Sequence, residues 1–133
     1  MPTAPATREL PEAPDTHAPD GSEIRLLLQL QGGSMVHARL LPGACSRAVR
    51  HRTVEELWFV LAGAGELWRR HGEQEEVTAL APGVAVSIPL GTAFQFRCLG
   101  GEPLDVVIVT MPPWPGVEEA VRVADHWPLR GPD

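Results

Sequence analysis

The chain has 133 residues, 44% of them apolar and 21% charged, enough for one hydrophobic core and too little for two. Its eleven cationic side chains are all arginine and stand against seventeen carboxylates, a formal charge of −6, which argues against a nucleic-acid partner because phosphate binding needs a basic face. No apolar run approaches the roughly 20 residues of a membrane span and no charged-then-apolar leader opens the chain, so no membrane is expected.

Lys, Asn and Tyr are absent, which excludes a lysine Schiff base, a P-loop lysine and tyrosyl acid catalysis within this chain and leaves chemistry to His, Glu, Asp, Arg or Cys. Their AT-rich codons point to a GC-rich bacterial source. Cys45 and Cys98 are too few for a disulfide scaffold and lack metal-knuckle spacing, so they read as reduced thiols in a cytoplasmic protein.

Residues 1–22 hold Pro2, Pro5, Pro11, Pro14 and Pro19 and little that is apolar. This composition does not repay the entropy of ordering and is expected as a flexible tail. From Glu23, Ile24, Leu26, Leu28 and Leu30 alternate with Arg25, Leu27 and Gln29, the period-two pattern of a strand, which the Gly32-Gly33 turn ends. Apolar runs recur over Met35–Leu41, Leu57–Leu61, Glu66–Arg69, Val77–Leu80, Val84–Ile88, Phe94–Cys98 and Leu104–Thr110. Glycine or proline punctuates each interval, and short strands so spaced predict an all-β sandwich or barrel over residues 23–111. The run Arg69-Arg70-His71-Gly72-Glu73-Gln74-Glu75-Glu76 reads as a hairpin with a solvated, oppositely charged face. Residues 112–133 are expected as an extended cover, because Pro112, Pro113 and Pro115 cannot donate to a ladder. One helical turn is expected over Val117–Ala120, and Trp114 and Trp127 should cap the barrel mouth or fill a dimer seam. His17 and His126 lie in terminal segments and are given no catalytic role.

The strongest pattern is one of spacing. Gly43, five residues, Val49, one residue, His51, four residues, Glu56, six residues and Gly63 are followed by Gly83, five residues, Pro89, one residue, Gly91, two residues, Phe94, three residues and Cys98. This resembles the two motifs of the cupin superfamily, G-x5-H-x-H-x(3,4)-E-x6-G and G-x5-P-x-G-x2-H-x3-N. The run Glu55 to Gly65 also resembles the E-x-x-Y-V-L-x-G-x-G stretch of small single-domain cupins. The resemblance implies a double-stranded β-helix, an antiparallel jelly-roll-like barrel, that forms homodimers by strand exchange or sheet packing.

It also implies a divalent metal held by two His and one Glu of the first motif and one His of the second. Here only His51 and Glu56 stand at ligand positions. Val49 and Phe94 occupy the other two, and Cys98 replaces the Asn. The cofactor stays open. Either His37, Cys45 or Cys98 completes an unconventional site and supports an oxygenase or sugar isomerase, or the barrel is metal-free. Without a metal, Glu56 would orient the imidazole and His51 would exchange protons near neutral pH, which suits isomerisation, epimerisation or cyclisation. Trp58 shares the alternation face of Glu56, with Phe94 and Phe96 expected opposite. Together with Val49 they would wall a pocket for a flat or apolar small molecule, and Arg47 would reach a ligand carboxylate or phosphate. A non-enzymatic sensor, and a pair of polar residues left over from a lost metal site, remain alternatives.

Overall fold

The computed structural model describes residues 4–133. Among them, eleven strands form two antiparallel sheets. In chain order they are β1 (Thr16–His17), β2 (Glu23–Leu30), β3 (Gly33–Leu40), β4 (Val49–His51), β5 (Glu55–Ala62), β6 (Gly65–His71), β7 (Gln74–Leu80), β8 (Ala85–Ile88), β9 (Ala93–Cys98), β10 (Leu104–Met111) and β11 (Ala120–Arg122). One sheet runs β1-β2-β3-β10-β5-β8 and the other β11-β4-β9-β6-β7. Every predicted apolar run is a strand, and β1, β4 and β11 are additional. Val117–Glu119 is a single 3-10 turn, inside the span where one helical turn is expected. No helix among the described residues is long and apolar enough to cross a membrane.

Strand alternation builds the core. In β5 the even positions Glu56, Trp58 and Val60 are buried and the odd ones exposed; in β10, Leu104, Val106, Ile108 and Thr110 are buried. These faces meet Leu67, Phe94 and Phe96 of the second sheet in one cluster, the interdigitated interior of a two-sheet barrel. Gly63 makes the β5–β6 turn with φ +90°, and a Cβ there would collide with the Pro103 carbonyl, so only glycine fits.

The first strand departs from its sequence pattern. A bulge between Leu26 and Leu28 shifts the register with β3, and a one-residue shift carries the following side chains to the opposite face. Ile24 is therefore in the core, whereas Leu28 and Leu30 are 41% and 67% exposed. Arg25 is buried beneath residues of the expected tail, its Nε donating to the Pro11 carbonyl at 2.8 Å and NH2 to the Glu12 carbonyl at 2.6 Å. Asp15 accepts from the Leu26 amide at 2.8 Å, and Thr16–His17 pair with Glu23–Ile24. The sheet thus crosses the boundary expected at residue 23. What the composition did not reveal is that a guanidinium inside the fold would offer these carbonyls a charged donor.

The C-terminal segment straps the outer face of the five-stranded sheet. β11 pairs with β4, and Trp127 and Val123 pack on a second cluster of Ala48, Trp68 and Ala93. Gln95, fully buried, donates through Nε2 to the carbonyls of Ser46 and Trp127, both at 2.9 Å, and accepts from the amides of His126 and Trp127 at 2.9 and 2.8 Å. Trp127 is thereby engaged within its own chain, under the Arg97 guanidinium at 4.2 Å from its ring centre. Replacing Gln95 by Ala leaves several buried groups unpaired at about 1–3 kcal/mol each. We expect Gln95→Ala to lower the urea midpoint and to abolish amide exchange protection at His126 and Trp127; unchanged protection there would refute the strap's dependence on this amide.

Candidate functional site

The site lies where β4 and β5 face one another across the barrel. Val49 and His51, alternate residues of β4, point inward, with Val49 opposite Phe94 of β9. Glu56 projects inward from β5 between Thr110 of β10 and Ile88 of β8. Trp58, two residues on, turns its indole Nε1–H to Glu56 Oε1 at 3.0 Å, and the Thr110 hydroxyl donates to Oε2, also at 3.0 Å. His51 Nδ1 lies 3.9 Å from Glu56 Oε2, too far for a direct hydrogen bond. That nitrogen is buried without a partner. The imidazole is held edge-on by Phe94 at 5.2 Å and Trp114 at 5.0 Å between ring centres.

Trp114 is half-buried, its amide donating to the Ser34 hydroxyl at 3.2 Å, and its ring packs against His51. Trp58 packs edge-on against Phe94 and Phe96 at 5.6 and 5.0 Å. Val49, Trp58, Phe94 and Phe96 are each at most 2% exposed. The structure thus brings together six of the seven residues named from sequence, but as mutually packed side chains. Arg47 is the exception: β4 begins only at Val49, Arg47 is exposed, and its NH1 donates to the Pro19 carbonyl at 3.1 Å. It pins the 18–22 segment instead of reaching into the barrel, because the alternation extrapolated back from His51 does not hold before the strand starts.

The electrostatics reverse the expected roles. Burial in apolar surroundings pushes the Glu56 carboxyl up to about 7; the Trp58 and Thr110 hydrogen bonds oppose the shift, and the charges of Asp20 and Glu119 add to it. Burial also pushes His51 down to about 4, against the pull of Glu119. Glu56 is therefore the group that exchanges a proton near neutral pH, and His51 stays neutral. Glu119 itself, though burial raises its carboxyl, is held below its usual value by the Thr53 side chain and the amides of Thr53 and Val54. Thr110 and Glu119 escape notice in the sequence, since only the register of β10 with β5 and the fold-back of the 117–119 turn bring them here.

A first-row divalent ion takes three or four donors, and these residues do not fit one. Glu56 is hydrogen-bonded at both oxygens, and hydrocarbon fills the two remaining corners. His37 lies on the outer face of β3, its Nε2 3.7 Å from Asp105. Cys98 donates to the Glu102 carbonyl at 3.1 Å and Cys45 has its longer contact with the Ser46 carbonyl at 3.7 Å; both thiols are unpaired with each other. No group of three His, Cys, Asp or Glu suited to a metal occurs among the described residues.

A family model described as the cupin domain matches residues 36–110. Nothing among curated proteins matches. Similar solved structures include KdgF from Halomonas sp., at 19% identity over 67% of this chain and 79% of that one, TM-score 0.58. A conserved protein with a double-stranded β-helix domain from Klebsiella pneumoniae aligns at 20% identity over 78% and 85%, TM-score 0.64. The capsular polysaccharide assembling protein CapF from Staphylococcus aureus aligns at 18% over 77% of this chain and 32% of its own, TM-score 0.66. At these identities the likeness is one of fold.

The two shifts work against each other in folding. A carboxyl raised from 4.5 to about 7 makes stability fall as pH rises across that window, because the folded state then holds more protons than the unfolded one. An imidazole lowered from 6.5 to about 4 makes stability fall as pH drops across its own window. Each slope is about 1.4 kcal/mol per pH unit, and they cancel where the windows overlap. Relative to wild type, Glu56→Gln should gain stability with rising pH from 4.5 to 7, and His51→Ala should lose it from 4 to 6.5, by urea unfolding. Parallel curves for wild type and both variants would contradict the assignment.

Proposed function

The chain belongs to the cupin domain family, and on that premise we propose that it binds a small molecule inside the barrel and acts on it by proton exchange at Glu56, with His51 as its neutral partner and a homodimer as the working unit. The observation that carries this reading is the gap of 3.9 Å between His51 Nδ1 and Glu56 Oε2, one atom without any hydrogen bond and the other part of a carboxyl poised near 7. A ligand hydroxyl or N–H seated between them would meet an acceptor on each side. A general base of pKa near the working pH is the efficient choice. As carboxylate, Glu56 would take a proton from one ligand atom, and as the acid so formed it would return that proton to a neighbouring one. Proton number is unchanged overall, which places the reaction with isomerisations and cyclisations.

Trp58, Phe94, Phe96 and Val49 supply an apolar wall that would exclude water and accept a flat or apolar body. Arg47, on the outside, takes no part. Two free thiols agree with a reducing compartment such as the cytoplasm.

The tight packing of those walls favours a second reading, a binding module without turnover, since a ligand would have to displace Trp114 to enter. One experiment separates the two. Small hydroxy acids and sugars are screened by thermal shift, and each ligand that stabilises the protein is followed by proton NMR in deuterated water. The enzyme reading expects deuterium incorporation or conversion that accelerates as pH rises through about 7 and falls about 100-fold or more in Glu56→Gln. Stabilisation without any exchange would leave the binding module. Trp114→Ala should widen the range of ligands that stabilise the fold, read by the same thermal shift.

A further inference from the structure

Acceptors bound the gap at the centre of the barrel. Glu56 Oε1 accepts from the Trp58 indole and Oε2 from the Thr110 hydroxyl, and each carboxylate oxygen keeps a lone pair to spare. His51 Nδ1, 3.9 Å from Oε2, is buried with no partner, and with the ring proton on Nε2 it also accepts. One ligand atom set between the two can satisfy both only if it carries two hydrogens. A hydroxyl has one, so it would leave either the imidazole or the carboxylate facing a lone pair. An ammonium nitrogen has three N–H donors and no acceptor, as a lysine head group does.

We infer that the molecule taken by this barrel is a small amine with a flat or apolar body, its ammonium nitrogen donating to both His51 Nδ1 and Glu56 Oε2. The inference rests on the binding site proposed above and names its ligand class.

The charges around the gap select a cation and disfavour a carboxylate or phosphate. Glu119 is 3% exposed and close enough for its charge to act on both His51 and Glu56. Its own partners, the Thr53 hydroxyl and the amides of Thr53 and Val54, are neutral and do not cancel that charge. Arginines of the adjoining segments are spent elsewhere. Arg47 donates to the Pro19 carbonyl and Arg52 to the Glu118 carbonyl. Arg69 stands opposite Phe94 in the β6–β9 register, with NH2 on Glu76 at 2.6 Å and NH1 on the Ser87 carbonyl at 2.9 Å. Its Nε is buried without a partner, but Glu76 already balances its charge. An anion beside Glu119 would therefore meet like charge in a dry place, where repulsion is least screened.

The aromatic side chains suit the same occupant. Phe94 and Trp114 flank the imidazole at 5.2 and 5.0 Å between ring centres, and Trp58 lies against Glu56. Ring electrons attract a cation most strongly where water is excluded.

Benzylamine, benzyl alcohol and phenylacetate share one body and differ in head group, and titration calorimetry with these three probes on the full chain tests the inference. Benzylamine should bind at least about tenfold more tightly than benzyl alcohol, the increment of a charge-assisted hydrogen bond, and phenylacetate should give no heat. Glu56→Gln, which keeps the shape and removes the charge, and His51→Phe, which keeps a ring and removes the acceptor, should each weaken benzylamine about tenfold or more, with circular dichroism unchanged. Glu73→Gln, in the exposed β6–β7 turn, should leave benzylamine affinity unaltered, which separates the site from attraction to the net charge of −6. Benzyl alcohol or phenylacetate binding as tightly as benzylamine, and weakened by His51→Phe, overturns the amine and spares the barrel site. Benzylamine affinity indifferent to both Glu56→Gln and His51→Phe overturns the placement of the amine. No binding by any of the three overturns the ligand class, and the screen of hydroxy acids and sugars then decides the barrel reading by itself.

Discussion

A carboxyl group buried among aromatic rings without a cation beside it sets the conditions for everything proposed at the centre of this barrel. Desolvation penalises the charged form, and two neutral donors, the Trp58 indole and the Thr110 hydroxyl, recover only part of the loss. The same hydrocarbon holds His51 neutral. Two groups that would ionise readily in water are thus both uncharged over much of the mildly acidic range. They lie close enough to share a ligand atom and too far apart to satisfy each other directly. Ordinary salt-bridge logic would have predicted an imidazolium–carboxylate pair; in so dry a place the charged pair costs more than its attraction returns.

That dryness depends on closure. Trp114 packs edge-on against His51, and the Glu119 turn is tied down by Thr53 and Val54. Elsewhere the terminal segments complete the barrel. Carbonyls of residues 11 and 12 hold a buried guanidinium on one sheet, and a buried amide, Gln95, fastens the C-terminal strap to the other. Both ties use polar side chains whose hydrogen bonds are met within the protein, which makes them specific as well as stabilising. After both straps are placed, the apolar outer rows of β5 and β10 are still bare.

The glycine and proline landmarks of the two motifs, together with strand-length apolar runs, made the all-β double-stranded β-helix legible, because a turn that demands positive φ or lacks an amide donor leaves its mark on residue type. Alternation in β5 correctly set Glu56 and Trp58 on one face, and the motif spacing set His51, Val49 and Phe94 at neighbouring corners. The strands β1 and β11 left no such mark. Each is two or three residues long, lies among prolines or charges, and exists only because a neighbouring strand supplies its hydrogen-bond partners. Arg47 shows the limit of alternation, which has meaning only within a strand.

From residue types and their spacing, then, the chain's class, its turns and the identity of its two central polar groups could be read, since steric demands on the backbone are local. The tertiary structure alone decided which outward rows stay bare, that a bulge at Leu26–Leu28 would turn two leucines to solvent, and which of His51 and Glu56 exchanges a proton near neutral pH. Those outcomes depend on how many apolar atoms surround each group and which distant donors reach it, and water exclusion is a property of the assembled fold.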